Sequence, residues 1–407
     1  MPVNDKKNYY RIILILGLLT GLTPFSIDMY LPGFPAIADD LHTPVAKVGM
    51  SLAAFFTGIC IGQLAYGPLM DRFGRKKPLV AGLCVFVLAT IGCACAGSIE
   101  QLILFRFIGA LGGCACMVAA RAIVRDLFPV TESAKVYSML MLVMGIAPIV
   151  APGIGSFVVT GFNWQGIFVV LGTIALSLLL LAVFFLPESK KADPSVSLHP
   201  LKIMSQYFVV LRQPVFIVYS SVSAFSMAAL FAYISSSPFI FMTLHHLTER
   251  EFGLAFGLNA FCLIAGSQVN RLLLKYKTSE WITVQATRLQ FVTAFVFLAM
   301  LLSGANSLVV TFYGVSTCLF FIGLINPNAS ALALVRFSKN AGMAAAFAGF
   351  FQMALSAASA VCISYFYNAT EAPIAVMFCI CSLFSLTSLS IAASLKKTDK
   401  IAIVKEV

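Results

Sequence analysis

Charge is the scarcest property of this chain. Of its 407 residues only 11% are charged and 60% are hydrophobic, with a mean hydropathy of +0.95. Soluble domains hold about 45–50% apolar and about 25% charged residues. A soluble fold of this composition would leave greasy surface in water, so the sequence predicts a polytopic membrane protein. Histidine is rarer still. His42, His199, His245 and His246 all fall in predicted loops and offer no metal cluster or histidine-based catalytic group. No Walker loop or glycine-rich phosphate cradle is present, which argues against ATP-driven transport on this chain. An intramembrane enzyme would need a buried nucleophile or metal ligands. The sequence offers neither, and predicts no catalytic residue, no metal and no cofactor.

Cysteine is plentiful, at eleven, but scattered through apolar runs. On a helix the members of a C-x-C pair point to different faces and cannot share a metal, so these residues read as small packing side chains. The +11 net charge does not point to nucleic acid, because the basic residues lie in short segments flanking apolar runs. The first apolar run is too long for a signal peptide and reads as a spanning helix.

Runs of about 20 apolar residues predict twelve spans, near 11–34, 46–69, 78–97, 101–124, 136–159, 165–186, 214–243, 252–273, 282–303, 307–334, 341–367 and 372–394. Segments alternately assigned to the cytoplasm carry 23 Lys and Arg residues, and the opposite loops carry two, Lys47 and Arg250. That bias places both termini in the cytoplasm. The longest hydrophilic stretch, 188–213, separates a first bundle over 1–187 from a second over 214–407. The fold expected is an all-α membrane protein, twelve helices in two pseudo-symmetric six-helix bundles.

Charges inside spans are expensive and mark function by default. Asp28 lies in the first span, in GLTPFSIDMYLPGFP, and Arg106 in the fourth, in LILFRFIGALGG. Counting about 1.5 Å per residue puts both in the outer half of a core about 30 Å thick, at one level. A shared ion pair or water-linked network is geometrically allowed. The alternative is that Asp28 ends a helix and Arg106 reaches to the interface. Tyr30 is the aromatic residue placed nearest a ligand. Arg288 is expected to reach to the cytoplasmic surface. Pro148, Pro152 and Gly155, in GIAPIVAPGIGS, suit close packing and hinge-like rocking, with a simple packing kink as the alternative. Asn259, Gln268, Asn326, Asn328 and Gln352 are the polar residues of the second half expected to face the bundle interior.

The stretch GPLMDRFGRKK, Gly67 to Lys77, holds five charged side chains between two apolar runs and is predicted to be a cytoplasmic loop. Its residues Gly67, Asp71, Arg72, Gly74, Arg75 and Lys76 resemble the loop-2/3 signature of the major facilitator superfamily. With IDMYLPGFPAIADDL, ARAIVRDLF, IAPIVAPGIG, FLPES, YISSSPF, FGLNAFCLIAGSQVN and NPNASALAL in this order, the chain resembles the bicyclomycin-resistance (Bcr/CflA) branch of its drug:H⁺ antiporters.

That resemblance implies Asp28 for proton or cation coupling, Arg106 for proton transfer, and the Gly67–Lys76 signature as a latch between the halves. It also implies Pro152 and Gly155 as part of the helix-five antiporter signature. The implied function is export of amphipathic drugs driven by the proton gradient, by a monomer in a bacterial cytoplasmic membrane. Its partners would be a small-molecule substrate, protons and the lipid bilayer. Export of an endogenous siderophore or peptide is the runner-up, and an uptake symporter is third.

Overall fold

In the computed structural model the chain is helical, with no strand among the described residues, which are 6–196, 198–199, 208, 210–335, 337, 341–366 and 370–405. Twelve helices there are long and apolar enough to cross a membrane. We number the elements α1 (Lys6–Asp28), α2 (Phe34–Asp40), α3 (Val45–Phe73), α4 (Lys76–Ala94), α5 (Ile99–Leu127), α6 (Val130–Phe162) and α7 (Gln165–Phe185). There follow α8 (Pro214–Pro238), α9 (Glu249–Leu273), α10 (Ser279–Leu302), α11 (Leu308–Leu334), α12 (Ala341–Tyr365) and α13 (Ala372–Lys405). Large apolar side chains such as Leu88, Phe157 and Phe184 stand exposed, which is tenable where the surrounding solvent is hydrocarbon.

The helix starts are written in short polar residues. Ser98, Thr278 and Ser307 each accept from an N–H three residues on, opening α5, α10 and α11. Before α9, Thr248 N–H donates to Glu251 and Glu251 N–H donates back to Thr248 Oγ1, a reciprocal capping box.

The first span is not one helix, as the 11–34 run led us to expect. α1 stops at Asp28, and a 3₁₀ turn over Leu31–Gly33 leads into α2. Pro32 and Pro35 stand at the starts of these two pieces, where the missing N–H costs nothing. Inside a continuous helix each would remove a hydrogen bond and clash one turn back. The charged stretch from Gly67 is likewise not a loop throughout. α3 continues to Phe73, and the turn is confined to Gly74 and Arg75.

Two compact units result: residues 1–203 with 237–257, and residues 204–236 with 258–407. In the first, α4 packs on α5 and α7, α3 on α5, and α1 on α6. In the second, α10 packs on α11 and α13. The third span of each half therefore bears the same relation to the fourth and sixth, an internal repeat. α9 and α11 cross at Gly266 and Gly323, where an added Cβ would lie 2.1 Å from the Phe320 carbonyl and 2.2 Å from that of Leu263. Pro327, inside α11, frees the Gly323 carbonyl, and Ser267 Oγ donates to it at 3.2 Å. Of the expected inter-bundle loop 188–213, positions 197, 200–207 and 209 lie outside the described residues.

Candidate functional site

Arg106 is 3% exposed, on α5 in the first unit, so it does not reach to an interface. Its guanidinium carbon lies 4.1 Å from the ring centroid of Phe55 on α3 and 4.5 Å from that of Tyr30. NH1 donates to the Ser26 carbonyl at 3.0 Å. The last four carbonyls of a helix have no partner within it, and Ser26 is among those of α1. Arg106 thus places a cation on the C-terminal end of α1, where the helix dipole favours it. Desolvated cation–π contacts of this kind are worth about 2 kcal/mol.

Asp28, also 3% exposed, is the last residue of α1. The two charges sit in one unit, and Arg106 grips the chain two residues before the carboxylate. They nevertheless form no ion pair among the described residues. Nε and NH2 of Arg106 have no partner there either. Tyr30 is wholly buried; its hydroxyl bonds Ser51 Oγ at 2.9 Å, and Ser51 donates to the Val48 carbonyl. Its structural place is a wall against Arg106. Phe55, Ser51 and the Ser26 carbonyl were not marked by the sequence reading, because a backbone acceptor and a phenylalanine among 36 leave no local signal.

α6 runs unbroken through Pro148 and Pro152. Gly155 touches the end of α1: a Cβ there would lie 2.1 Å from the Met29 carbonyl oxygen.

At the far end of α3 the charged signature forms a network within the same unit. Arg75 is 2% exposed; its Nε donates to Asp126 Oδ2 at 2.7 Å and NH1 to Asp71 Oδ1 at 3.0 Å. Lys190 Nζ meets the same Asp71 oxygen at 2.7 Å. Burial works to discharge Arg75, but the hydrogen bonds and fields of Asp126 and Asp71 outweigh it and hold its pKa above the ordinary arginine value. Glu188 accepts from the N–H groups of Arg75 (2.7 Å) and Lys76 (3.2 Å) at the start of α4. Arg72 NH1 donates to the Val196 carbonyl and Lys76 Nζ to that of Val183. Gly67 has open space where a Cβ would go. Asp126, Glu188 and Lys190 are partners that the signature itself does not include.

In the second unit Asn259, Asn326 and Gln352 all enter side-chain hydrogen bonds. Gln268 does not: it is exposed on α9, while the neighbouring Ser267 and Asn270 bond other helices. Arg288 is exposed on α10.

The family model described as Major Facilitator Superfamily matches residues 16–363. The chain belongs to the major facilitator superfamily. It is 31% identical to the "Bicyclomycin resistance protein homolog" of Haemophilus influenzae, over 94% of this chain and 96% of that one. It is 32% identical to the "Uncharacterized MFS-type transporter YdgK" of Bacillus subtilis, over 86% and 87%. With "Multidrug resistance protein MdtL" of Escherichia coli it shares 30% over 61% and 63%. Among solved structures a D-xylose-proton symporter superposes with a TM-score of 0.75 at 15% identity, covering 93% of this chain and 97% of that one. At that identity the likeness speaks for the fold alone. As a member of this superfamily the chain is a multi-pass membrane transporter of small molecules and not an enzyme.

Proposed function

We propose that this transporter is a drug:H⁺ antiporter of the bacterial cytoplasmic membrane. It exports amphipathic compounds by alternating access, as a monomer with both termini in the cytoplasm and the proton gradient as its only energy source. One observation carries the reading: Asp28 is an acid buried at the end of α1, and Arg106, which bonds the backbone of that same helix end, is held by a carbonyl and two rings rather than by the carboxylate. An uncommitted buried acid is free to exchange a proton for a cationic or hydrogen-bonding cargo. The resistance names carried by the Haemophilus and Escherichia relatives support the cargo class.

In this reading a proton arriving from outside neutralises Asp28, and the carrier turns inward. Cargo entering from the cytoplasm displaces the proton, and the carrier turns back. Arg106 senses the charge of Asp28 through the end of α1, which it holds. Pro148, Pro152 and Gly155 form the hinge against that helix end, and Asp71 with Arg72, Arg75 and Lys76 forms the latch. Export of an endogenous siderophore or peptide would use the same machinery, and profiling metabolites and drugs in cells with and without the protein separates the two. The direct test is Asp28→Asn in proteoliposomes. Drug-driven proton release is expected to vanish while the protein remains inserted, and exchange at the wild-type rate would remove Asp28 from the mechanism.

A further inference from the structure

Among the described residues, uncharged side chains of α8, α9, α11 and α12 hydrogen-bond one another in three groups, and one of these is open. Asn259 donates to the Tyr233 hydroxyl and accepts from Ser316, and these residues are 0%, 2% and 6% exposed. Asn328 donates to Asn270 Oδ1 at 2.6 Å, with the two at 2% and 4%. Both groups are sealed, as expected of side chains that join helices.

The third group is built around Ser223 on α8. Its hydroxyl donates to Asn326 Oδ1 at 2.6 Å, meets Ser330 Oγ at 2.9 Å and accepts from Gln352 Nε2 at 2.7 Å. Here Asn326, Ser330 and Gln352 are only half-buried. Bonding capacity is also left unspent. Asn326 Nδ2 donates to the thioether of Met227 at 3.3 Å, a weak acceptor. Gln352 Oε1 has no protein partner among the described residues, and one turn either side of Ser223 the buried hydroxyls of Ser220 and Ser226 have none. A buried hydroxyl without a partner is costly, and three helices, α8, α11 and α12, meet at Ser223 between these two.

The group is also uncharged. Among the described residues no buried Asp, Glu, Lys or Arg lies within α8 to α12; the buried acid of the second unit, Glu371, stands apart just before α13, whereas the first unit buries Asp28 and Arg106 within its helices. We propose that Ser223, Asn326 and Gln352 form a substrate subsite that takes an uncharged group able both to donate and to accept hydrogen bonds, such as an amide or a hydroxylated carbonyl. It rests on the export reading and assigns this uncharged group the recognition of neutral polar cargo. Ser223 positions the two amides, and Gln352 offers its carbonyl to the cargo.

The test compares two probes on the full-length protein in lipid nanodiscs, with binding measured by equilibrium dialysis. Chloramphenicol carries an amide and two hydroxyls; tetraphenylphosphonium is a cation with no hydrogen-bonding group. Gln352→Leu and Ser223→Ala are expected to weaken chloramphenicol binding about tenfold and to leave tetraphenylphosphonium within about twofold. Ser316→Ala, in a sealed group, should lower thermal stability without separating the probes. Variants that weaken both probes equally, or neither, would overturn the subsite, as would a wild-type protein that binds only tetraphenylphosphonium. In each of those cases the export reading stands. A folded, inserted wild-type protein that binds neither probe would sink both.

Discussion

The carbonyl oxygen of Met29 occupies the place where a side chain at Gly155 would begin: a Cβ there would lie 2.1 Å from it. The close approach joins α6 to the end of α1, one residue beyond Asp28. Gly155→Ala must push the two helices apart, and overpacking of this kind costs about 1–3 kcal/mol. We expect a lower thermal midpoint and impaired transport with Asp28 itself untouched. Gly153, on the same helix, has no neighbour within 4 Å of an added Cβ, so Gly153→Ala should have no such steric cost. Equal behaviour of the two variants in thermal melts would contradict the contact.

Arg106 is held by geometry as well as by charge. Lysine would keep the charge, but it cannot lay a planar group between the rings of Tyr30 and Phe55 while bonding the Ser26 carbonyl. Arg106→Lys is therefore expected to lose transport by at least about tenfold. Tyr30→Phe keeps the ring face and loses only the bond to Ser51, at a stability cost of about 1 kcal/mol. It should transport nearly normally. A stable Tyr30→Phe variant that fails to transport would mean that the hydroxyl, rather than the ring, is what the cycle uses.

The twelve spans were legible because hydrocarbon demands long apolar runs, and nothing else in a sequence looks like them. The ends of elements were not. Pro32 and Pro35 were visible, but prolines kink some helices and start others, and the sequence does not say which of the two they do here. Asp28 and Arg106 stood out because charge is rare within spans. The acceptor that Arg106 found is a backbone carbonyl, which every residue possesses, so no pattern could name it. Ser223 is hidden for a related reason: serines are common along α8, and its role comes from Asn326 and Gln352, more than a hundred positions away.

Gly74 and Glu188 should be coupled energetically. Gly74 has φ 85° and ψ 171°, a region essentially closed to other residues at a cost of about 1–3 kcal/mol. A Cβ on it would also lie 2.8 Å from Glu188 Oε2. Glu188→Ala removes acceptors from the first N–H groups of α4, worth about 1 kcal/mol, and it also clears that space. The double variant should thus be less destabilised than the sum of Gly74→Ala and Glu188→Ala. A thermal-stability cycle that closes to within about 0.3 kcal/mol of additivity would show that they act independently.

Asp71 is shared by two cations, Arg75 at 3.0 Å and Lys190 at 2.7 Å, and is 39% exposed. Pairs this open are individually weak, so removing the charge should not unfold the unit. If Asp71 belongs to a latch, its charge matters when the latch makes and breaks, which sets the rate of turning and not the grip on cargo. Asp71→Asn is then expected to slow turnover about fivefold, the equivalent of about 1 kcal/mol in the barrier, with probe affinity near normal. Lys190→Met should slow it in the same way, because it strips the same carboxylate of a partner. Exchange rates and binding constants measured on one preparation separate the alternatives. A loss confined to affinity would place Asp71 in cargo binding, and a loss of neither would leave its two cations as packing of the α3 end alone.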